Sequence, residues 1–346
     1  MAFIIAQKVV DFKDVSALKQ LSKASPFLVE IIDFLEKWND ATSTLAVSTS
    51  GSTGPPKMIH LSKVAMITSA EMTARFFGFK SREKAVLGLS ANYIAGKMML
   101  VRAMISDLDI YLVKPSSNPL AGIEALIDFI PMTPHQLMTT WNTNPKALSR
   151  VKTILLGGGP INLSHEDIVN QLSGQVYHGF GMTETITHIA VRSLTDNSSC
   201  YIPLKGISIS KGDQDQLVID GEHLEDTVIT NDLVEIYPDQ SFRWLGRLDN
   251  VINSGGVKLF PELIESKLKP HMDDSAFFIH KESDPRLGER VVLVIESDGN
   301  SRFDSLESTI ARVLDKYERP KEIYAMKPFV LTKTGKINRN ATFENK

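Results

Sequence analysis

Over its first two thirds the chain alternates short, nearly continuous apolar runs with stretches of helical periodicity, and that order restricts it to a narrow set of architectures. A strand that is apolar on both sides must be covered on both sides, so successive runs of this kind imply parallel neighbours joined by crossover helices. The spacing predicts strands at 44–48, 85–89, 109–113 and 153–156, and helices at 62–79, 94–105, 120–129 and 164–172. Ser62 is positioned to cap the first of these helices, whose apolar residues Val64, Ile67, Met72 and Phe76 fall near helical spacing. After Cys200 the texture changes. Ile207, Ile209, Leu217, Ile219, Val228, Val234 and Ile236 alternate with polar residues, and Asp220-Gly221 breaks the run, which predicts antiparallel hairpins. From Arg247 a smaller pattern begins, with helices expected at 261–268 and 303–317 and strands at 276–279, 291–295 and 322–325. The expected fold is α/β: a large N-terminal domain of βα sheet layers plus an antiparallel β portion (1–246), and a small α+β C-terminal domain (247–346), with the boundary at 246–250.

Composition narrows the function classes. A length of 346 residues suits two domains at roughly 150 residues each. With 38 basic and 41 acidic side chains the net charge is −3, so nothing pulls the whole chain toward nucleic acid or an anionic membrane. No apolar run approaches the about 20 residues that span a bilayer, and residues 1–10 lack the cationic start of a signal peptide. The lone Cys200, flanked by Ser199 and Tyr201, has neither a disulfide partner nor an activating base within the sequence around it. A cytoplasmic enzyme is the expectation.

The densest chemical signal is Ser48-Thr49-Ser50-Gly51-Ser52-Thr53-Gly54-Pro55-Pro56-Lys57, between a strand and a helix. Hydroxyls, main-chain N–H groups freed by glycine and one lysine make a cradle for polyphosphate. The spacing is not that of a Walker loop, and Gly157-Gly158-Gly159-Pro160 lacks the third glycine of a dinucleotide fingerprint. A second cluster, Tyr177-His178-Gly179-Phe180-Gly181-Met182-Thr183-Glu184-Thr185, offers a ring to stack on a base, hydroxyls for phosphate and a carboxylate for Mg²⁺. Further clusters lie at Thr230-Asn231-Asp232, at Gly246-Arg247-Leu248-Asp249-Asn250 with Ser254-Gly255-Gly256-Val257-Lys258, and at Thr332-Lys333-Thr334-Gly335-Lys336-Ile337-Asn338-Arg339.

In this order, from Ser48 to Arg339, the motifs resemble those of the adenylate-forming superfamily of acyl-CoA synthetases, peptide-synthetase adenylation domains and luciferases. The resemblance implies a two-step ligase: a small-molecule carboxylic acid and ATP·Mg²⁺ give an acyl-adenylate, and a thiol such as CoA then displaces AMP. It implies Thr49, Ser50, Gly51, Ser52, Thr53, Gly54 and Lys57 on the β- and γ-phosphates. Gly158, Gly159 and Pro160 would border adenine, with Phe180, in place of the family's usual Tyr, against the base beside Gly181. Thr183 would contact the α-phosphate, Glu184 the metal, and Asp232 and Arg247 the ribose. Lys336 would bridge carboxylate and α-phosphate. Asp249 would be the hinge of a mobile C-terminal domain, and Gly255, Gly256 and Lys258 would face the CoA channel.

The trimmed N-terminus and the segment Leu87 to Arg102 resemble the o-succinylbenzoate-CoA ligase subfamily, with Tyr93 where many relatives carry His. That acid has a second carboxylate, which needs a buried cation or strong donors. Tyr93, Gly96, Lys97, Arg102 and His188 are the acid-pocket candidates. Other readings are a different aryl- or acyl-CoA ligase, a stand-alone enzyme that loads a carrier protein, and an inactive adenylate-binding module, against which the retained Thr183, Glu184 and Lys336 argue.

Overall fold

The computed structural model describes the chain except residues 6–7, 49–56, 273–274, 299–303 and 333–336, and except the side chains of residues 163, 304 and 305. The chain opens with a hairpin, β1 (Ala2–Ile5) and β2 (Lys8–Asp11), and two helices, α1 (Val15–Ser22) and α2 (Leu28–Trp38). A second hairpin, β3 (Thr44–Ser48) and β4 (Met58–Ser62), leads into α3 (Lys63–Phe77). Then come β5 (Lys84–Leu87), α4 (Ile94–Ser106), β6 (Asp109–Leu112), β7 (Ile127–Met132), α5 (Pro134–Thr143), α6 (Pro145–Leu148), β8 (Val151–Leu156), α7 (Leu163–Val169), β9 (Gln175–Gly181), β10 (His188–Ser193) and β11 (Ile202–Pro203).

These strands build a nine-stranded sheet in the order β11-β10-β9-β8-β7-β5-β6-β1-β2. The strands from β1 to β9 along this path run parallel to their neighbours, whereas β2, β10 and β11 pair antiparallel. Both faces are covered. Ala85 and Leu87 of β5 pack with Phe34, Met66, Ala70 and Met98 from α2, α3 and α4, while Val86 joins Leu137, Leu148 and Ile168 from α5, α6 and α7. This is the alternation that a doubly covered strand requires.

The antiparallel portion follows as β12 (Ile207–Lys211), β13 (Gln216–Gly221), β14 (Val228–Ile236) and β15 (Phe242–Arg247), a four-stranded sheet paired in sequence order. One 3-10 turn (Leu248–Asn250) separates it from β16 (Ile252–Ser254), β17 (Val257–Leu259), α8 (Pro261–Leu268), β18 (Phe277–Asp284), β19 (Gly288–Glu296), α9 (Asp304–Val313), β20 (Glu322–Met326) and α10 (Arg339–Phe343). Their strands form a sheet of their own, with the core of Ile252, Ile264, Leu268, Ile279 and Leu293 against α8 and α9. Among the described residues no helix is long and apolar enough to cross a membrane.

Four expectations from the sequence are corrected. The helix at 120–129 is absent: Gly122 turns the chain at φ +76°, and Ile127, Phe129, Ile130 and Met132 enter the sheet as β7 between β5 and β8. The 44–48 strand is not a member of the main sheet; it pairs antiparallel with β4, Thr44 opposite Ser62 and Ser48 opposite Met58, so a strand intervenes before the helix. Ser62 does cap α3, accepting from the Ala65 N–H at 3.4 Å, but the buried face is Met66, Ser69, Ala70, Met72 and Thr73, and Val64 is exposed. Asp220-Gly221 lies within β13, with Gly221 opposite Ile207; the tight connection is at Gly212-Asp213-Gln214-Asp215 instead.

Packing at the start of α4 is close. A Cβ on Gly96 would sit 2.2 Å from the Ser90 carbonyl oxygen and 2.9 Å from Ala91 Cα, both main chain, so neither can swing aside. Gly96→Ala is expected to destabilise the protein by about 1–3 kcal/mol in denaturant unfolding, a loss that an exposed helical glycine replaced by alanine would not show.

Candidate functional site

The carboxyl ends of parallel strands are where open α/β sheets present their ligands. Beyond β8 lies the Gly157–Pro160 loop, tied back by the Gly157 N–H to the Met132 carbonyl at 3.0 Å. Gly158, at φ +79°, takes a conformation that L-residues rarely adopt. His178 of β9 reaches this loop: its Nε2 lies 3.0 Å from the Gly159 carbonyl oxygen and its Nδ1 2.7 Å from the Tyr201 hydroxyl. Burial, with Arg192 nearby, pushes the imidazole pKa down to about 4, so the ring is neutral. A neutral ring has one N–H, which goes to the carbonyl, and the remaining nitrogen accepts from Tyr201. Phe180 packs edge to face on Tyr201 (5.5 Å) and Phe242 (5.2 Å), at the seam between the two sheets.

Between β9 and β10 the turn of residues 182–187 exposes Glu184, half-buries Thr183 and buries Thr185 and Ile186. Ile186 stands at φ +65°, and the Thr187 N–H returns to the Thr185 carbonyl at 2.7 Å. A β-branched residue held there stores strain of about 1–3 kcal/mol that surrounding contacts must hold. Thr185 supplies them: its Oγ1 accepts from the Met182 N–H at 3.0 Å and lies 2.8 Å from the Thr187 carbonyl oxygen. His223, from the segment after β13, is buried behind the turn; burial lowers its pKa, and the Thr185 main chain beside it opposes the fall. Gly181 is required by the same turn, since a Cβ there would meet the Thr187 oxygen at 2.2 Å.

Behind the turn is Arg102 of α4, 2% exposed. Its Nη2 donates to Thr187 Oγ1 at 2.8 Å and approaches His188 Nδ1 at 3.5 Å, and its Nε has no partner. No carboxylate among the described residues pairs with it, and burial alone draws its pKa down to about 10. His188, fully enclosed beside Arg102, has its pKa driven down by that burial and stays neutral, its Nε2 3.4 Å from Thr73 Oγ1. Phe77 packs edge to face against the same imidazole at 6.5 Å and against Tyr177 at 5.3 Å, giving Arg102 and His188 an aromatic wall. A buried guanidinium whose Nε has no partner, beside neutral rings, carries a charge that no side chain of the described residues answers.

Lys97 does not join this group. It turns to the Ala91 carbonyl at 2.6 Å and lies over the Phe34 ring at 5.9 Å, against α2. Burial lowers its pKa, partly offset by Asp33 and Glu30. Gly96 serves the close approach to Ser90, and Tyr93 is 60% exposed at the head of α4.

A third cluster gathers at the end of the antiparallel sheet. Asp232, buried, accepts from the Trp244 indole N–H at 2.9 Å and has Arg247 at 3.7 Å; burial raises its pKa while those two donors oppose the rise. Asp249, exposed, takes the Asn231 amide at 3.2 Å and has Arg247 at 3.7 Å. Gly255 (φ +57°) and Gly256 (φ +82°) are the two central residues of the β16–β17 hairpin turn, and Lys258 pairs with Asp215 at 3.4 Å. Lys57 is exposed just ahead of β4. Thr49, Ser50, Gly51, Ser52, Thr53, Gly54 and Lys336 lie outside the described residues.

His178, Tyr201, Trp244, Thr185 and His223 carry no motif of their own. His178 and Thr185 stand inside a quoted cluster, but what gives the first four their place is a hydrogen bond made in the folded chain, His178 to Tyr201 and Gly159, Trp244 to Asp232, and Thr185 across its own turn. The metal chemistry is consistent with one exposed carboxylate: no group of three or more His, Cys, Asp or Glu among the described residues could hold an ion unaided. Mg²⁺ takes one or two carboxylates and completes its shell with phosphate oxygens and water, so Glu184 fits it.

The protein-family comparison matches residues 5–224 to the model described as AMP-binding enzyme. A probable 2-succinylbenzoate-CoA ligase from Mycobacterium tuberculosis is 26% identical over 332 residues, covering 87% of this chain and 84% of its own. An acyl-CoA synthetase (AMP-forming)/AMP-acid ligase II-like protein from Dyadobacter fermentans is 37% identical, covering 92% of this chain and 94% of its own at a TM-score of 0.64. The o-succinylbenzoate coenzyme A synthetase from Bacillus subtilis, solved with ATP and magnesium ion, superposes at a TM-score of 0.81 over 99% of this chain and 96% of its own, at 16% identity, a likeness of fold. With a family model matched over more than half of its length, the chain belongs to the AMP-binding enzymes.

Proposed function

We propose that the chain is an ATP-dependent acid-CoA ligase that converts 2-succinylbenzoate to its CoA thioester through an acyl-adenylate. The observation that carries the acid class is Arg102, a buried guanidinium paired with no carboxylate of the described chain and flanked by Thr187, His188 and the Phe77–Tyr177 wall. An aromatic acid with a second carboxylate supplies what that cation lacks, and the names of the curated relatives point the same way. A plain fatty acid would leave the charge unanswered.

In the first step a carboxylate oxygen bonds the α-phosphorus while the bond to the β-phosphate oxygen breaks and pyrophosphate leaves. The nucleophile is already ionised at neutral pH, so no general base is needed. Cations and donors matter instead: Thr183 toward the α-phosphate, the 48–57 segment toward the outer phosphates, and Lys336 toward the joining oxygens. Mg²⁺, held by Glu184 and phosphate oxygens, supplies charge neutralisation when bound. Asp232, steadied by Trp244 and Arg247, faces the ribose, and the His178-supported loop with Phe180 borders adenine. In the second step the CoA sulfur, having lost its proton, bonds the acyl carbon and AMP departs. Residues 1–246 form the ATP- and acid-binding domain in this reading, and 247–346 a cap that turns about Asp249 between steps, in a cytoplasmic setting. The change of sheet across the single turn at Leu248–Asn250 supports that division.

AMP release with ATP and CoA across 2-succinylbenzoate, benzoates and fatty acids tests the activity; turnover of another acid without 2-succinylbenzoate overturns the substrate. Arg102→Met is expected to raise KM for 2-succinylbenzoate about 10²-fold with little change for ATP, and to leave the melting temperature unchanged or higher, because it removes an unpaired buried charge. A lower melting temperature with unchanged KM would make Arg102 structural. Glu184→Gln is expected to raise the Mg²⁺ concentration for half-maximal rate by about tenfold. Lys336→Ala is expected to abolish acid-dependent pyrophosphate exchange while sparing thiolysis of supplied acyl-adenylate; equal loss of both steps speaks against a cap that moves between them.

A further inference from the structure

Thr185 touches neither reacting group, yet the turn between β9 and β10 depends on it. A hydroxyl has one proton. With its oxygen accepting from the Met182 N–H at 3.0 Å, the proton goes to the nearer of two carbonyls, Thr187 at 2.8 Å rather than Met182 at 3.1 Å. One side chain therefore ties the first residue of the turn to the last. Between those ties Ile186 is forced to φ +65° with its side chain buried, and the Ile186 N–H closes on the Thr183 carbonyl at 2.9 Å. The main chain of Thr183 and Glu184 is thereby fixed from behind, and the two side chains are left pointing outward. On the far side Thr187 carries its Oγ1 to Arg102.

We propose that Thr185 is a positioning residue for the metal-nucleotide half of the site: its hydroxyl holds the strained Ile186 turn and so sets Glu184 and Thr183 at the distance that Mg²⁺ on a nucleotide requires. A turn without this tie relaxes Ile186 toward negative φ, and such a rotation carries the Glu184 carboxylate away from its place. The inference rests on the proposed reading of Glu184 as the metal-facing carboxylate, and is independent of which acid is the substrate.

The test is equilibrium binding of α,β-methylene-ATP, without acid, in the presence and absence of Mg²⁺, to the full chain and to Thr185→Val, Thr185→Ser and Glu184→Gln. In the wild type Mg²⁺ is expected to tighten the analogue about tenfold or more. Thr185→Val, similar in shape but without the hydroxyl, is expected to cut that gain to about twofold or less while Mg²⁺-free binding stays within about twofold; Thr185→Ser, which keeps the hydroxyl, retains most of it. A merely structural loss would weaken both bindings equally, and that result overturns the proposal, as does a full Mg²⁺ gain in Thr185→Val while Glu184→Gln loses it. If Glu184→Gln also keeps the gain, the metal reading falls together with this one. Should Thr185→Val not fold, Thr185→Ala takes its place, since alanine also lacks the hydroxyl that makes the tie; an undiminished Mg²⁺ gain there overturns the proposal.

Discussion

The reversal at the end of β9 is the constraint on which the rest depends. A run of parallel strands sends all its carboxyl ends out along one side, and each strand but the last must be followed by a crossing over a face. Here the run stops at Gly181: β10 turns straight back, antiparallel, and the turn is squeezed by the close passage of Gly181 against Thr187. A short connection at that point has two sides. One is solvent-facing and carries Thr183 and Glu184; the other is pressed into the core and carries Thr187 and His188 to Arg102. On the proposed assignments, nucleotide chemistry and acid recognition are two faces of one six-residue turn, and the distance between them is set by main-chain geometry rather than by long side chains.

The same economy appears in the Gly157–Pro160 loop. Gly159 is not held by its own strand but by His178, one strand over, and His178 is held in turn by Tyr201 from the strand connection beyond. Tyr201 also stacks on Phe242, where the antiparallel sheet begins to bury its own core. Sliding the second sheet against the first would therefore be felt at the Gly157–Pro160 loop.

Much of this was legible from residue patterns because burial writes a periodicity. The strand at 44–48 and the helix at 261–268 stand where the apolar spacing puts them, and β18, β19 and β20 differ only at their ends. The helix at 120–129 was illegible for the converse reason: Leu120, Ile123 and Ile127 mimic helical spacing, but Gly122 breaks the run and β7 is buried on both faces, so its period is lost. The β3–β4 hairpin was misassigned because His60 and Met58 are exposed and weaken the second strand's apolar signal. At the site, Arg102 could be chosen by charge, but charge could not separate it from Lys97. Five positions along a helix turn a side chain by about 140°, which sends Arg102 to Thr187 and His188 and Lys97 to α2. Trp244, Tyr201 and His223 were missed because their partners are distant in the chain.

Arg102 has one more consequence, for the folding of the chain rather than for its reaction. A guanidinium enclosed without a counter-ion opposes the native state, since the unfolded chain lets it return to water. An acid that answered the charge, as proposed, would bind only the folded form, and at a hundredfold excess over its Kd such a ligand adds about 2.7 kcal/mol to the folding free energy. On the proposed reading of Arg102, the protein would therefore resist unfolding better with its acid bound than without it.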